Sequence, residues 1–365
     1  MSRPLACVVL AAGEGKRMRS ARPKPLHLLC GRAMLLHILD AVAEMGADRS
    51  VVVVGTGAER VTKKLVDDGP PDLPIDFVEQ TVQRGTGDAV MVALTAFPDD
   101  DLDSNAEDGD LLVLPGDHPL LRATTLEALV ERHRTTGSAC TVLTARVDDP
   151  AGYGRIVRGK DGNVSRVVEQ RDATDDEKQI DEINLAIYCF KRGLLAPALR
   201  RVTPDNDQGE YYLTDVIEVL AGAGHLVTSM EVGDLAEALG VNDRAQLAMA
   251  EAELRRRTNE RWMATGVTLV DPDHTYIDTG VRLAADVTVF PGVILQGATT
   301  IGERTEIGPG THLVDCTVGA DCRLHHTVAQ QCEIGDGAVV GPFAFLSAGA
   351  SIAPGSETGA FYTST

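Results

Sequence analysis

Basic residues are scarce: 34 Lys and Arg face 54 Asp and Glu in 365 residues, a net charge of −20. Binding nucleic acid without sequence preference depends on neutralising phosphates, so this deficit argues against it, and equally against docking on an anionic membrane surface. A small phosphate ligand stays open, provided one loop is locally basic and a divalent cation shares the charge. Long apolar runs are missing too. No stretch approaches the roughly 18 apolar residues of a membrane span. The N-terminus MSRPLACVVLAAGEGKR also lacks a secretion signal's order of charge, apolar run and small-residue cleavage site. A cytoplasmic protein is expected. The seven cysteines (Cys7, Cys30, Cys140, Cys189, Cys316, Cys322, Cys332) form no C-x-x-C pair. An odd, scattered set indicates neither a disulfide framework nor a zinc cluster, and buried thiols in a reducing compartment are expected. Of the nine histidines only His325 and His326 are adjacent, and no third ligand stands near them. What remains is ordinary globular composition, 44% hydrophobic and 24% charged, over a length that suits two domains.

From Leu5 to about Gly240 short apolar runs alternate with helical patterns. LACVVL is followed by AMLLHILDAVAEMG, SVVVVG and AERVTKKLV, then by IDFVEQ, a helix over Thr86–Phe97, and LLVLPGD. This alternation builds βαβ units and an α/β domain with a mainly parallel sheet. Residues 98–110 carry seven acids in thirteen positions without the spacing of a calcium loop, so a solvated loop is expected. Residues 244–264 read as a long connecting helix, with Arg255, Arg256 and Arg257 on a solvated face.

After Gly266 the period changes. Apolar residues fall six apart at Ile277, Leu283, Val289, Leu295, Ile301, Ile307 and Leu313; the phase slips by one to Val318 and Leu324, breaks at Gln330, and resumes at Ile334, Val340, Leu346 and Ile352. A six-residue period with glycine often following the apolar position is the hexapeptide β-helix signature, in which stacked coils bury a continuous apolar column. At roughly eighteen residues per three-sided coil, the stretch from Ile277 to Thr365 makes about five coils.

LACVVL runs directly into Leu10-Ala11-Ala12-Gly13-Glu14-Gly15-Lys16-Arg17-Met18, at the carboxyl end of a first parallel strand, where open α/β sheets bind ligands. Met18 stands where the dinucleotide fingerprint needs its third glycine. Leu10 stands where a P-loop needs its first, and Arg17 where Ser or Thr should follow the lysine. Both common phosphate motifs are thereby rejected. Lys16, Arg17, Arg19, Arg22 and Lys24 face the single acid Glu14, a local reversal of sign that suits a polyphosphate.

LAAGEGKRM…PKPLH resembles the L-A-A-G-x-G-T-R-M…P-K-x-L-H signature of sugar-1-phosphate nucleotidylyltransferases. Joined to a hexapeptide β-helix, the chain is similar to the bifunctional N-acetylglucosamine-1-phosphate uridylyltransferase / glucosamine-1-phosphate acetyltransferase family. Gln80 and Gln83 before Gly85-Thr86-Gly87, then Gly116-Asp117, Gly152-Tyr153-Gly154-Arg155, Glu169-Gln170-Arg171-Asp172, Glu182-Ile183-Asn184, Glu210-Tyr211-Tyr212-Leu213-Thr214-Asp215 and Gly240-Val241-Asn242 follow in the family's order.

The resemblance implies a Rossmann-like nucleotidyltransferase domain over residues 1–243, a linker helix over 244–266, and a short left-handed parallel β-helix over 267–365. It implies transfer of UMP from UTP to N-acetylglucosamine-1-phosphate with release of pyrophosphate. No general base is required, because a phosphate monoester's second pKa is about 6. Leu10, Ala11, Ala12, Gly13 and Gly15 would hold the nucleotide phosphates with Arg17, and Lys24 would meet charge developing at the α-phosphate. Gln80, Gln83, Gly85 and Thr86 would read the base. Asp117 and Asn242 would hold Mg²⁺, a hard cation suited to oxygen ligands. Gly154, Glu169, Asn184, Tyr212 and Thr214 would bind the sugar. The family also implies a homotrimer assembled through the β-helix.

Three departures bear on specificity: Lys16 for threonine, Asp88 for histidine after G-T-G, and Leu185-Ala186 for a small residue and glycine. The last sets a methyl group beside the sugar pocket, so another sugar-1-phosphate is an alternative. A non-catalytic nucleotide-sugar scaffold is disfavoured by the joint presence of Arg17, Lys24, Asp117 and Asn242. Acetyl transfer is expected to be absent. The family's G-P-[FY]-x-x-L-R-P-G reads Gly341-Pro342-Phe343-Ala344-Phe345-Leu346-Ser347-Ala348-Gly349, with Ser347 in the arginine's place, and the sequence stops before the family's histidine base.

Overall fold

The computed structural model describes residues 3–97, 109–238 and 240–364, so most of the acidic run over 98–110 lies outside the described residues. Its last member, Asp110, is not solvated: it is 1% exposed and accepts from Arg134 Nε at 2.7 Å. The chain forms two compact units, one of Met1–His27 with Ala33–Gln246, the other of Leu28–Arg32 with Leu247–Thr365. No local pattern in the sequence marks Leu28–Arg32 as part of the second unit.

The strands up to residue 231 are β1 (Leu5–Leu10), the two-residue strands β2 (Leu28–Leu29) and β3 (Arg32–Ala33), β4 (Arg49–Val54), β5 (Ile75–Glu79), β6 (Asp110–Pro115), β7 (Cys140–Arg146), β8 (Gly154–Arg158), β9 (Val164–Val168), β10 (Glu182–Lys191) and β11 (Val227–Glu231). The main sheet runs β11-β7-β10-β6-β1-β4-β5, with β8 paired to β10 and β9 to β8. Strands β6, β1, β4 and β5 are mutually parallel, as are β7 and β11. β10 runs antiparallel to both β6 and β7 and so stitches the parallel parts together. The chain leaves β1 for β4 on one side and returns to β6 on the other. This strand reversal opens a crevice at the carboxyl ends of β1 and β6.

The helices α1 (Met34–Glu44), α2 (Ala58–Asp68), α3 (Thr86–Leu94), α4 (Ala123–Thr136), α5 (Arg192–Leu199) and α6 (Asp215–Gly222) accompany this sheet. Because both faces are covered, the central strands β1, β4 and β6 are near-continuous apolar runs rather than alternating, whereas β5, at the edge, carries exposed Asp76 and Glu79. In β1, Cys7 and Val9 pack into one core with Leu35, Leu39 and Leu126, while Val8 packs into the other with Val90, Val113 and Ile217.

Helix α7 (Arg244–Ala264), which belongs to the second unit from Leu247 onward, leads into fifteen strands of two or three residues, from Thr268–Leu269 to Ser351–Ile352, in three parallel five-stranded sheets. This is the arrangement of a left-handed parallel β-helix. Ile277, Leu295, Leu313, Ala329 and Leu346 stack in register as one wall of the inner column. The inward residue after Leu324 is Ala329, 1% exposed, and not the position of Gln330, which faces solvent. The sequence period misses it because one methyl group is a weak apolar signal beside a polar neighbour. The arginine triplet on α7 is more engaged than a solvated face: Arg257 donates to Glu253 at 2.6 Å, and the Arg255 guanidinium lies over the Tyr276 ring at 4.8 Å. All seven cysteines are buried and free.

Candidate functional site

The loop after β1 leaves the sheet with its backbone anchored. The Ala11 N–H donates to the Val53 carbonyl at 2.9 Å, and Gln83 Nε2 donates to the Ala12 carbonyl at 2.7 Å. Gly15 adopts φ 63°, and a Cβ there would sit 2.7 Å from Lys24 Cβ, so only glycine lets the loop close over the lysine stem.

A cleft of about 340 Å³ opens at the strand reversal, between Leu10 at the end of β1 and Pro115 at the end of β6. Ala12, Gly13, Gln80, Gln83, Gly85 and Thr86 line one part of it; Asp117 lines it beside β6; Glu169, Asn184 and Thr214 line the remainder. Segments up to about two hundred residues apart thus meet in one cavity. Asn242 joins them through Lys24, whose Nζ donates to Asp117 Oδ2 at 2.6 Å and to Asn242 Oδ1 at 2.9 Å.

Other predicted residues stand off the wall. Ala11 is buried behind it, and Gly15 supports Lys24. Arg17, in the 3-10 turn Lys16–Met18, is exposed outside the lining residues. Gly154 backs the Asn184 and Glu169 side of the cleft, where an added Cβ would lie 3.5 Å from both Asn184 Cβ and Glu169 Oε2. Tyr212 is 7% exposed, and its hydroxyl accepts from Gln208 Nε2 at 2.7 Å.

Asp117 is strongly perturbed. Burial opposes its ionisation, but the His118 hydrogen bond at 2.9 Å, the His118 ring's charge and the Lys24 ammonium outweigh burial and hold its carboxyl well below the usual range. Glu169 moves the other way. Its burial raises the carboxyl and Asp172 adds to this, against the opposing hydrogen bond from Thr214 Oγ1 at 3.2 Å.

Sequence reading missed several contributors. Tyr188 is 2% exposed, lines the cleft, and accepts from Asn184 Nδ2 at 2.7 Å. His118 is seen as a partner of Asp117 only once the loop after β6 is built. Ala186, suspected from its sequence position, lines the cleft at φ 58°, in a strand irregularity between Asn184 and Tyr188. Its N–H donates to Asn184 Oδ1 at 3.1 Å. Asp88, at 2% exposure, lies behind Gln80.

A carboxylate and an amide carbonyl bridged by an ammonium, beside a glycine loop and a largely apolar cavity with a few convergent polar groups, suit a phosphorylated ligand with a hard cation. Residues 7–220 match the family model described as a MobA-like NTP transferase domain. The chain is 43% identical over 342 residues to the bifunctional protein GlmU of Caldanaerobacter subterraneus subsp. tengcongensis, covering 94% of this chain and 72% of that one. It is 46% identical over 360 residues to the protein of that name from Mycolicibacterium vanbaalenii, covering 98% of this chain and 72% of the relative. With that from Streptomyces coelicolor it is also 46% identical over 360 residues, covering 98% and 73%.

Proposed function

The chain belongs to the GlmU family, and we propose that it is a sugar-1-phosphate uridylyltransferase making UDP-N-acetylglucosamine and pyrophosphate from UTP and N-acetylglucosamine-1-phosphate. The observation that carries this reading is the Lys24, Asp117 and Asn242 cluster joined through Asp117 to a cleft lined by both Gln80, proposed for the base, and Asn184, proposed for the sugar.

A phosphate oxygen of the sugar-1-phosphate attacks the α-phosphorus of UTP. The bond from that phosphorus to the bridging oxygen breaks, and pyrophosphate leaves with the electron pair. The nucleophile is largely ionised near neutral pH, so the protein's work is positioning and charge stabilisation. In this reading Lys24 reaches the α-phosphate, the amides of Gly13 and Gly15 face the outer phosphates, and Arg17 swings in from its exposed turn. Gln80, Gln83, Gly85 and Thr86 hold the base. Asn184, Glu169 and Thr214 bind the sugar with Gly154 and Tyr212 behind them.

Asp117 and Asn242 offer hard oxygen donors that fit Mg²⁺, which would supply charge neutralisation at the phosphates when bound. A panel of nucleoside triphosphates and sugar-1-phosphates assayed for pyrophosphate tests the assignment. No release with UTP and any hexosamine-1-phosphate would sink it. The Ala186 methyl in the cleft favours, as a second reading, a different sugar-1-phosphate, which the same panel separates.

We also propose a homotrimer through the β-helix. Tyr276, Val328 and Phe345, 42%, 45% and 50% exposed, stand in one register column with Ile294 and His312 between them. An apolar column of this kind supports self-association. Sedimentation as a monomer at micromolar concentration would overturn this. Among the described residues no helix is long and apolar enough to cross a membrane.

Acetyl transfer is proposed to be absent, on the ground of Ser347. Its hydroxyl lies 3.2 Å from Ser364 Oγ, and a neutral hydroxyl cannot form the bidentate contact a guanidinium makes with phosphate. Acetyl-coenzyme A-dependent product above background would refute this.

A further inference from the structure

Gln80 is 6% exposed and lines the cleft, yet its amide group is not free to rotate. Nε2 donates to Asp88 Oδ2 at 2.8 Å and to the Gly85 carbonyl at 3.2 Å, which commits both of its hydrogens. Asp88 is itself buried, and its other oxygen, Oδ1, accepts from Arg84 NH2 at 2.8 Å. Turning the Gln80 amide over would set its oxygen against the Asp88 carboxylate and the Gly85 carbonyl, three acceptors with no proton among them. Among the described residues nothing donates to Gln80 Oε1.

We propose that Asp88 is a positioning residue for base selection, holding the Gln80 amide with its oxygen toward the cleft. The site then accepts a pyrimidine whose ring offers an N–H, as uracil does, and rejects one that offers a bare ring nitrogen, as cytosine does. A carboxylate can enforce this orientation because it only accepts, whereas a side chain that both donates and accepts would leave either amide orientation satisfied. Arg84, at the surface, keeps the buried charge paired. The proposal rests on the nucleotide-binding part of the reading above and is independent of the sugar and of turnover.

Binding is therefore measured apart from catalysis, by titrating UTP and CTP into the full chain with Mg²⁺. Wild type is expected to bind UTP at least about tenfold more tightly than CTP. Asp88→Asn, whose amide can donate or accept, is expected to narrow that ratio to within about threefold, while its melting temperature stays near that of wild type. An unchanged ratio in folded Asp88→Asn, or a wild type that does not discriminate, overturns the proposal. If Asp88→Asn does not fold, wild type is titrated with N3-methyl-UTP, which lacks the ring N–H. Binding as weak as that of CTP supports the proposal, and binding equal to that of UTP overturns it. A wild type that discriminates UTP from CTP but releases no pyrophosphate overturns the transfer reading and supports base selection.

Discussion

Lys24 Nζ donates to Asp117 Oδ2 at 2.6 Å across 93 residues of sequence, and the lysine side chain is only 13% exposed. An ammonium held this way is oriented before any substrate arrives. Asp117 and Asn242 are also the proposed Mg²⁺ ligands, so metal binding is expected to free the ammonium toward the α-phosphate, where a positive charge stabilises the transition state. Lys24→Ala and Asp117→Ala are each expected to lower kcat/KM by on the order of 10²-fold or more, about 3 kcal/mol. Steady-state pyrophosphate release measures this, and wild-type rates in both variants would remove the site assignment.

Divalent metal removal tests the two oxygen donors. Chelation is expected to abolish pyrophosphate release and Mg²⁺ to restore it. Asp117→Asn and Asn242→Ala should raise the Mg²⁺ concentration for half-maximal rate by about tenfold, since each removes or weakens one hard ligand. A Mg²⁺ titration curve identical to that of wild type in both variants would show that these residues do not hold the metal.

Ala186 occupies the left-handed region at φ 58°, which costs an L-residue about 1–2 kcal/mol. Glycine has no such penalty but loses more chain entropy on folding, so Ala186→Gly is expected to stabilise by about 0.5–1 kcal/mol. It also removes a methyl from the cleft and should lower KM for N-acetylglucosamine-1-phosphate. Thermal unfolding and a KM series check both, and a variant that changes neither would leave Ala186 without a role in specificity.

Asp215, in the first turn of α6, has its carboxyl pushed from 3.8 up to about 6 by burial, reinforced by Glu218, Glu169 and Asp172. Between those two values the folded chain binds more protons than the unfolded one, so this group makes stability fall as pH rises through that window. Its penalty is complete above pH of about 6. Asp215→Asn should therefore stabilise by about 1–2 kcal/mol at pH 7 to 8, discounted for partial exposure, and by almost nothing near pH 4. Denaturation at both pH values decides, and an equal gain at each would reject the electrostatic origin.

Ala329 and Gln330 are neighbours with opposite fates in the β-helix. Ala329→Asp would bury an unpaired carboxylate between Leu313 and Leu346 and should cost about 3 kcal/mol or more, whereas Gln330→Asp at the exposed position should stay within about 0.5 kcal/mol. Comparable melting temperatures for the two variants would contradict this register.

The sequence by itself determined the elements and their class. Val-rich runs such as SVVVVG report a strand buried on both faces, and residues repeating every six positions from Ile277 report a stacked coil, because these periods are local consequences of which side chains must leave water. The glycine loop was legible for the same reason: Gly13, Gly15 and a cluster of cations lie within one short segment. Family resemblance added Asp117, Asn184 and Asn242 as candidates. Only the tertiary structure decided that Lys24 Nζ sits between Asp117 and Asn242, that β10 runs antiparallel between β6 and β7, and that Ala329 takes the inward place. It also placed Tyr188 behind Asn184 and made the Asp88 carboxylate the fixed partner of the Gln80 amide. These are contacts between distant segments, fixed by how helices and strands pack, and no periodicity within a segment encodes them.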